Sequence, residues 1–190
     1  MSTKVAPFTK IHVRSGPYYL TDFDKLMAQT VASWVGSDLE LLWLAPKTHP
    51  PLTAEKVLAW HLEQSNPLLF YRDGISEPLG YLELNPMPEQ RKHLWMGHCI
   101  IRPDQRGVGL GRQLIEMMLE HAFVNRGARR VSLVVFPANI AAICCYRSTG
   151  FADAGEQVKY FSTSGKEHRM LRMTIGADRY GLLEHNKKST

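Results

Sequence analysis

Arg102-Pro-Asp-Gln-Arg106-Gly-Val-Gly109-Leu-Gly111-Arg112 is the stretch on which the fold turns. The segment before it, His93 to Ile101, reads as a strand. After it the apolar period changes from two to 3.6. Leu110, Leu114, Met117, Met118, His121 and Ala122 then fall on one face of a helix ending near Arg126-Gly127. Glycines between a strand and a helix let the backbone approach a ligand, and the helix start directs free N–H groups and its dipole outward. Such a place seats an anion. Six arginines and three acids lie between residues 102 and 130, which puts three of the chain's five net positive charges there.

The loop lacks the Gly-Lys-Ser/Thr of a P-loop, because Arg112-Gln113 follows Gly111. It also lacks the dinucleotide fingerprint: Arg112 stands where the third glycine belongs, and the next strand ends in Phe136-Pro-Ala-Asn139 without an acid. A tight turn alone also produces a lone G-x-G-x-G.

Working outward, Thr9 to Val13 alternates as a half-buried first strand. Thr21-Asp-Phe-Asp24 has the form of a capping box before an amphipathic helix on Phe23, Leu26, Met27 and Val31. Ser37 to Pro51 reads as irregular, and Thr53 as the N-cap of a second helix reaching about Gln64. Leu68 to Tyr71 and Leu79 to Leu84 are two strands around a turn-rich connection, and His93 to Ile101 is the fourth. Val131 to Phe136 reads as a strand buried on both faces. A helix from Asn139 to Thr149 follows, and a terminal hairpin joins Gln157–Phe161 to His168–Ile175. Residues 1–175 are expected to form one domain and 176–190 a loosely held polar tail.

Composition agrees with a folded chain. Of 190 residues, 44% are hydrophobic and 22% charged, and 23 Lys+Arg against 18 Asp+Glu give +5. No run of ~18 apolar residues occurs and the start has no leader-like apolar core, so a cytoplasmic protein without membrane partners is expected. Three cysteines, Cys99, Cys144 and Cys145, form neither a disulfide framework nor a zinc pattern, and no metal is expected. The basic residues cluster at the loop without an aromatic-studded RNA signature, so nucleic acid is not an expected partner.

About 28 residues beyond Gly111 stands a second motif, Asn139-x-x-Ala142-x-x-x-Tyr146-x-x-x-Gly150-Phe151. Together with Arg106-x-x-Gly109-x-Gly111 it resembles the paired signatures of the GNAT superfamily of N-acetyltransferases. In flavour it is nearest to the branch with ribosomal-protein N-terminal and small-amine acetyltransferases. The resemblance implies an α/β fold: a mixed, mostly antiparallel sheet of about six or seven strands, flanked by about four helices and splayed between the fourth and fifth strands. It implies acetyl-CoA as co-substrate and transfer to a primary amine of a small molecule or a protein N-terminus by direct attack in a ternary complex. A homodimer is compatible with it.

Residue by residue, the resemblance implies that main-chain groups of Cys99, Ile100 and Ile101 pair with the pantetheine arm. Amides of Arg106, Gly107, Val108, Gly109, Leu110, Gly111 and Arg112 hold the pyrophosphate. Asn139 contacts the cofactor or simply caps its helix. Tyr146 places its hydroxyl near the thioester sulfur as general acid, or belongs to a buried stripe with Ala142 and Gly150. Arg112 is otherwise a solvated charge. An oxyanion donor is expected at the amide of Ile101 or nearby. The family's acid or histidine positions early in the fourth strand hold Trp95 and Gly97 here. That leaves Glu83, His98 of opposite strand parity, or water as the base, with Glu83 the candidate. The departure keeps two other readings open: a CoA-binding regulatory module without turnover, and a ribosome- or RNA-associated acetyltransferase. Trp34, Trp43, Trp60 and Tyr160 are candidate acceptor-pocket aromatics or core.

Overall fold

A computed structural model describes residues 10–188 apart from residues 62, 89 and 91. Thr9, the expected start of the first strand, lies outside the described residues, as do residues 1–8 of the expected domain and 189–190 of the expected tail. Eight strands form one sheet in the order β1-β2-β3-β4-β5-β6-β8-β7. They are β1 (Ile11–Ser15), β2 (Tyr18–Asp22), β3 (Pro67–Arg72), β4 (Gly80–Pro86), β5 (His93–Ile101), β6 (Arg130–Val135), β7 (Ala152–Phe161) and β8 (Lys166–Gly176). All pairings are antiparallel except β5–β6. Six α-helices are described: α1 (Ala28–Ala32), α2 (Asp38–Leu44), α3 (Ala54–Ala59), α4 (Leu110–Glu120), α5 (Ile140–Ser148) and α6 (Ala177–Lys188).

α4 buries Leu114, Ile115, Met117 and Met118 against one face of the sheet, the face of Leu82, Leu84, Leu133 and Met173. A smaller cluster on the other face joins Val31, Trp34 and Val57 to Leu69 and Tyr81. The expected splay is present. β5 and β6 share three register pairs, His93–Arg130, Leu94–Val131 and Trp95–Ser132, and then separate.

The sheet has eight strands where six or seven were expected, α3 ends at Ala59 rather than near Gln64, and three further segments differ from expectation. Thr21-Asp-Phe-Asp24 is not the cap of a long helix: Tyr18 to Asp22 forms β2, because Gly16 at φ 56° closes a hairpin that pairs aromatic Tyr18 and Tyr19 with β3. Only Asp24 caps, accepting from the Leu26 amide at the start of a short 3-10 turn. The Ser37–Pro51 segment holds α2, begun by Ser37 Oγ accepting from the Glu40 amide. The Glu40 carboxylate reaches back to the Gly36 amide, one residue before the Ser37 cap, so Ser37-x-x-Glu40 has capping-box spacing with its return bond moved by one residue. The third is the polar tail, which is helical as α6 over 177–188. Arg179 Nε donates to the Gly150 carbonyl at 2.7 Å, and Tyr180 stacks on Phe123 at 4.9 Å. Gly150, at φ 99°, lies so close under Leu183 that a Cβ there would clash.

Beyond α4 the chain widens into a π-helical turn, His121–Asn125. Asn125 Nδ2 donates to the His12 carbonyl at 2.7 Å, and the His12 and His121 rings meet at 4.6 Å. His121 is 3% exposed. Burial, with His12, Arg126 and Lys10 nearby, lowers its pKa from 6.5 to about 4. The folded state therefore favours neutral His121, while the unfolded chain takes up a proton near pH 6.5. Stability present above pH 6.5 is lost as pH falls toward 4, by up to about 3 kcal/mol. Thermal melts at pH 7 and pH 5 should show a fall in Tm for the parent chain and a smaller one for His121→Leu.

Candidate active site

Where β5 leaves β6 a cleft of about 720 Å³ opens, walled by α2, the loop before α4, and α5. Its donor side is built from main chain. Pro103–Gln105 forms a short 3-10 turn on which the Arg106 amide closes, donating to the Pro103 carbonyl at 3.3 Å. The Arg106 amide is thus engaged, and the amides offered to a ligand begin at Gly107. Gly107 and Gly109 sit at φ 78° and 89°, which an L side chain resists. Gly109 starts α4 with no side-chain cap, and the first helical bond runs from the Gln113 amide to the Gly109 carbonyl. The amides of Leu110, Gly111 and Arg112 precede that bond and have no intrahelical acceptor. Arg112 is exposed, with Nε on Glu116 at 3.1 Å.

The Arg106 side chain turns inward. Nε donates to the Ile101 carbonyl at 2.9 Å, Nη1 to Glu40 at 2.7 Å, and Nη2 to the Trp34 carbonyl at 3.1 Å. It ties the loop to the end of β5, the α1 end and α2. Arg102 donates its amide to the Leu79 carbonyl, so by ladder alternation Ile101 directs its own amide and carbonyl away from β4, toward the cleft. Its carbonyl is taken by Arg106, which leaves the amide as the donor there. Ile100 stands opposite Tyr81 and directs its main chain at β4.

Across the cleft, Asn139 caps α5, its Oδ1 accepting from the Ala142 amide at 3.2 Å. Its Nδ2 is then the group it presents to the cleft it lines. Tyr146 lines the same wall, 5.9 Å from the Phe151 ring. Burial, with Cys99 and Cys145 nearby, pushes its phenol well above the usual range, so the hydroxyl keeps its proton and is a donor. Burial likewise raises the Cys99 and Cys145 thiols, so neither is a thiolate nucleophile at neutral pH.

The acceptor side depends on a bulge. Tyr81 pairs with Ile100 but Glu83 with Gly97, so His98 and Cys99 together oppose Leu82. His98 takes φ 43°, and strict parity no longer applies. The His98 ring stacks on Trp60 at 4.2 Å, and its Nδ1 bonds Glu83 Oε1 at 2.8 Å. Glu83 is 1% exposed and does not line the cleft. The Tyr81 hydroxyl donates to Oε1 at 2.7 Å and Asn85 Nδ2 to Oε2 at 2.8 Å. Burial alone would raise the Glu83 pKa. The hydrogen bonds from His98, Tyr81 and Asn85 prevail and hold it below the usual value. The Tyr81 proton is committed to Glu83, so His61 Nε2 donates to the Tyr81 oxygen at 3.0 Å. Ionised Glu83 fixes the His98 proton on Nδ1 and leaves Nε2 with a free lone pair.

His98 thus stands on the face of the sheet that Glu83 and Gly97 share, and only the bulge, which has no residue signature, brings it there. Of the four aromatics, Trp43 lines the cleft and Trp60 carries His98, while Trp34 is core and Tyr160 is exposed on β7. Among the described residues no group of three or more His, Cys, Asp or Glu could hold a metal, and no helix is long and apolar enough to cross a membrane.

Residues 33–151 match the profile of the Acetyltransferase (GNAT) family. The chain is 31% identical over 81 residues to the spermidine N(1)-acetyltransferase of Vibrio cholerae, covering 43% of this chain and 47% of that one. Over 117 residues it is 28% identical to the L-methionine sulfoximine/L-methionine sulfone acetyltransferase of Pseudomonas aeruginosa, covering 60% and 67%. Over 72 residues it is 35% identical to the ribosomal protein bS18-alanine N-acetyltransferase of Escherichia coli K12, covering 37% and 48%. The chain thus spans about half the length of the spermidine and bS18 relatives it matches. In fold it is similar to the Vibrio cholerae spermidine N-acetyltransferase in complex with CoA and spermine, with TM-score 0.73 at 18% identity, covering 87% of this chain and 99% of that one. It is similar too to Mycobacterium smegmatis RimJ in complex with CoA-disulfide, with TM-score 0.69 at 19% identity, covering 85% and 82%. Through the match over residues 33–151 and the splayed sheet with its uncapped helix, the chain belongs to the acetyltransferase (GNAT) family.

Proposed function

We propose that the chain transfers an acetyl group from acetyl-CoA to the primary amine of a small molecule or peptide N-terminus. The observation that carries this reading is one cleft that joins an uncapped helix start and a free β5 amide on one side to a histidine with an open Nε2 on the other. Enzymes of this family use acetyl-CoA as co-substrate. Its extended arm and anionic end fit a site made of free main-chain donors. When bound it supplies an activated acyl group on a thiol leaving group.

The residues divide the remaining work. Amides from Gly107 to Arg112 hold negative charge at the α4 start. The Ile101 amide offers a hydrogen bond to a carbonyl oxygen at the open end of β5. The amine–acyl bond forms as the acyl–sulfur bond breaks. His98 Nε2 takes the proton from the attacking amine, and the Tyr146 hydroxyl gives one to the departing sulfur. Glu83 is a positioning residue: it orients His98 and stabilises the imidazolium that forms. The relatives' names describe acetylation of spermidine, an amino-acid derivative and a protein alanine, all amines. The His98–Glu83 pair favours turnover over a silent CoA-binding module.

Acetyl-CoA at a hundredfold excess over Kd should stabilise the native state by about 2.7 kcal/mol, a rise in Tm of about 5–10 °C for a chain this size. Gly109→Ala, forced to adopt a left-handed backbone, should lower the ligand-free Tm by several degrees, at about 1–2 kcal/mol, and shrink the acetyl-CoA shift. Tyr146→Phe should reduce kcat at least tenfold with the acetyl-CoA shift intact; unchanged turnover removes Tyr146 from the mechanism. His98→Gln should reduce kcat by about 10²-fold or more. Glu83→Gln should lower kcat with little change in KM for the amine.

A further inference from the structure

The charge of the acceptor-facing side of the sheet follows from strand register. Glu83 faces Gly97 and Asn85 faces Trp95, and Trp95 pairs with Ser132. Ser132 faces Thr174 and Val134 faces Arg172. Met170 faces Gln157, His168 faces Lys159, and Lys166 faces Phe161. Contacts agree. His93 Nε2 bonds Ser132 Oγ at 2.7 Å, Ser132 Oγ donates to Thr174 Oγ1 at 3.2 Å, and Trp43 of α2 packs with Val134, Phe136, Phe161 and Met170.

On this face the charged residues of β6, β7 and β8 are Arg130, Arg172, Lys159 and Lys166. Asp153, Glu156 and Glu167 stand on the opposite face, with Asp153 and Glu156 paired to Met173 and Leu171. Glu40, which lines the cleft, and Glu83, which holds His98, are already committed. Glu83 accepts from three donors, and Glu40 accepts from Arg106 and the Gly36 amide. An ammonium group beyond the reacting amine would therefore meet like charge on this face of the sheet, and an anion would meet donors.

Arg172 is the donor best placed to receive it. It stands beside Val134, which lines the cleft, and Nη2 is steadied by Gln157 Oε1 at 3.0 Å. No carboxylate pairs with it among the described residues. Gln157 Nε2 is buried and has no partner there either. An acceptor oxygen arriving between the two side chains would satisfy that orphaned N–H and the guanidinium together. Burial, with Arg130 and Arg172 nearby, holds His93 below its usual pKa, as a positive surface should.

We infer that the acceptor carries a carboxylate, received by Arg172 and Gln157 while its amine reaches His98. This rests on the acetyl-transfer reading and narrows it. The test compares kcat/KM, by mass spectrometry of products, for a free amino acid and its amide, a tripeptide and its C-terminal amide, and spermidine. One carboxylate member should exceed its amide at least tenfold, and which pair responds tells whether the source is an amino acid or a peptide. Arg172→Gln should bring that ratio toward one by raising KM for the carboxylate member, and Arg172→Glu should invert it. Equal rates within both pairs, a preference for spermidine, or a ratio unmoved in Arg172→Gln overturns the inference alone. Transfer to none of these amines by a chain that still binds acetyl-CoA overturns the acetyl-transfer reading, and the inference with it.

Discussion

The parting of β5 from β6 is the constraint on which the rest of the molecule depends. Three paired residues hold the two strands parallel, after which β6 is engaged by β8 and β5 by β4 alone. A sheet opened in this way leaves strand-edge polar groups facing a slit, where each needs a partner. Part of that need is met internally, by Arg106 on the Ile101 carbonyl. The remainder is a line of donors next to two helix starts, α4 and α5. Donor-site geometry is thus a by-product of how the sheet fails to close.

The second constraint is a buried negative charge. A carboxylate at 1% exposure is costly unless paired and hydrogen-bonded. Glu83 meets that condition with three donors from β4 and β5. The network extends through Tyr81 to His61, while Trp60 is held by Thr48 and stacks on His98. Each ring is fixed by its neighbours in the fold, so the orientation of the histidine is set by the protein itself.

Local, short-range features of the chain were legible in its residues. The glycine loop, the Asn139 cap, the α4 stripe and the doubly buried β6 all rest on spacing within a few residues, and all stand where those spacings put them. Features set by distant partners were not. A bulge depends on register against another strand, so His98 counts to the wrong face in the sequence and stands on the right one in the fold. α6 has no apolar stripe of its own and owes its place to Gly150 and Phe123. Thr21 in β2 and Asp24 just beyond it stand at capping spacing, yet the aromatic residues of β2 and the Gly16 turn decide for a hairpin. The capping-box spacing of Ser37 and Glu40 was readable, but the prolines that follow mask so short a helix.

Arg106 occupies the position of the motif where a cation would be taken to meet phosphate, yet its three nitrogens are spent on protein oxygens from three separate segments. A planar fork can serve acceptors lying in different directions, whereas a lysine ammonium at the end of a flexible stem is a single point. The charge at this position is therefore secondary to its shape. A mechanical linkage runs from the loop before α4 to α2, so a ligand held at either wall of the cleft would bear on one end of the same side chain.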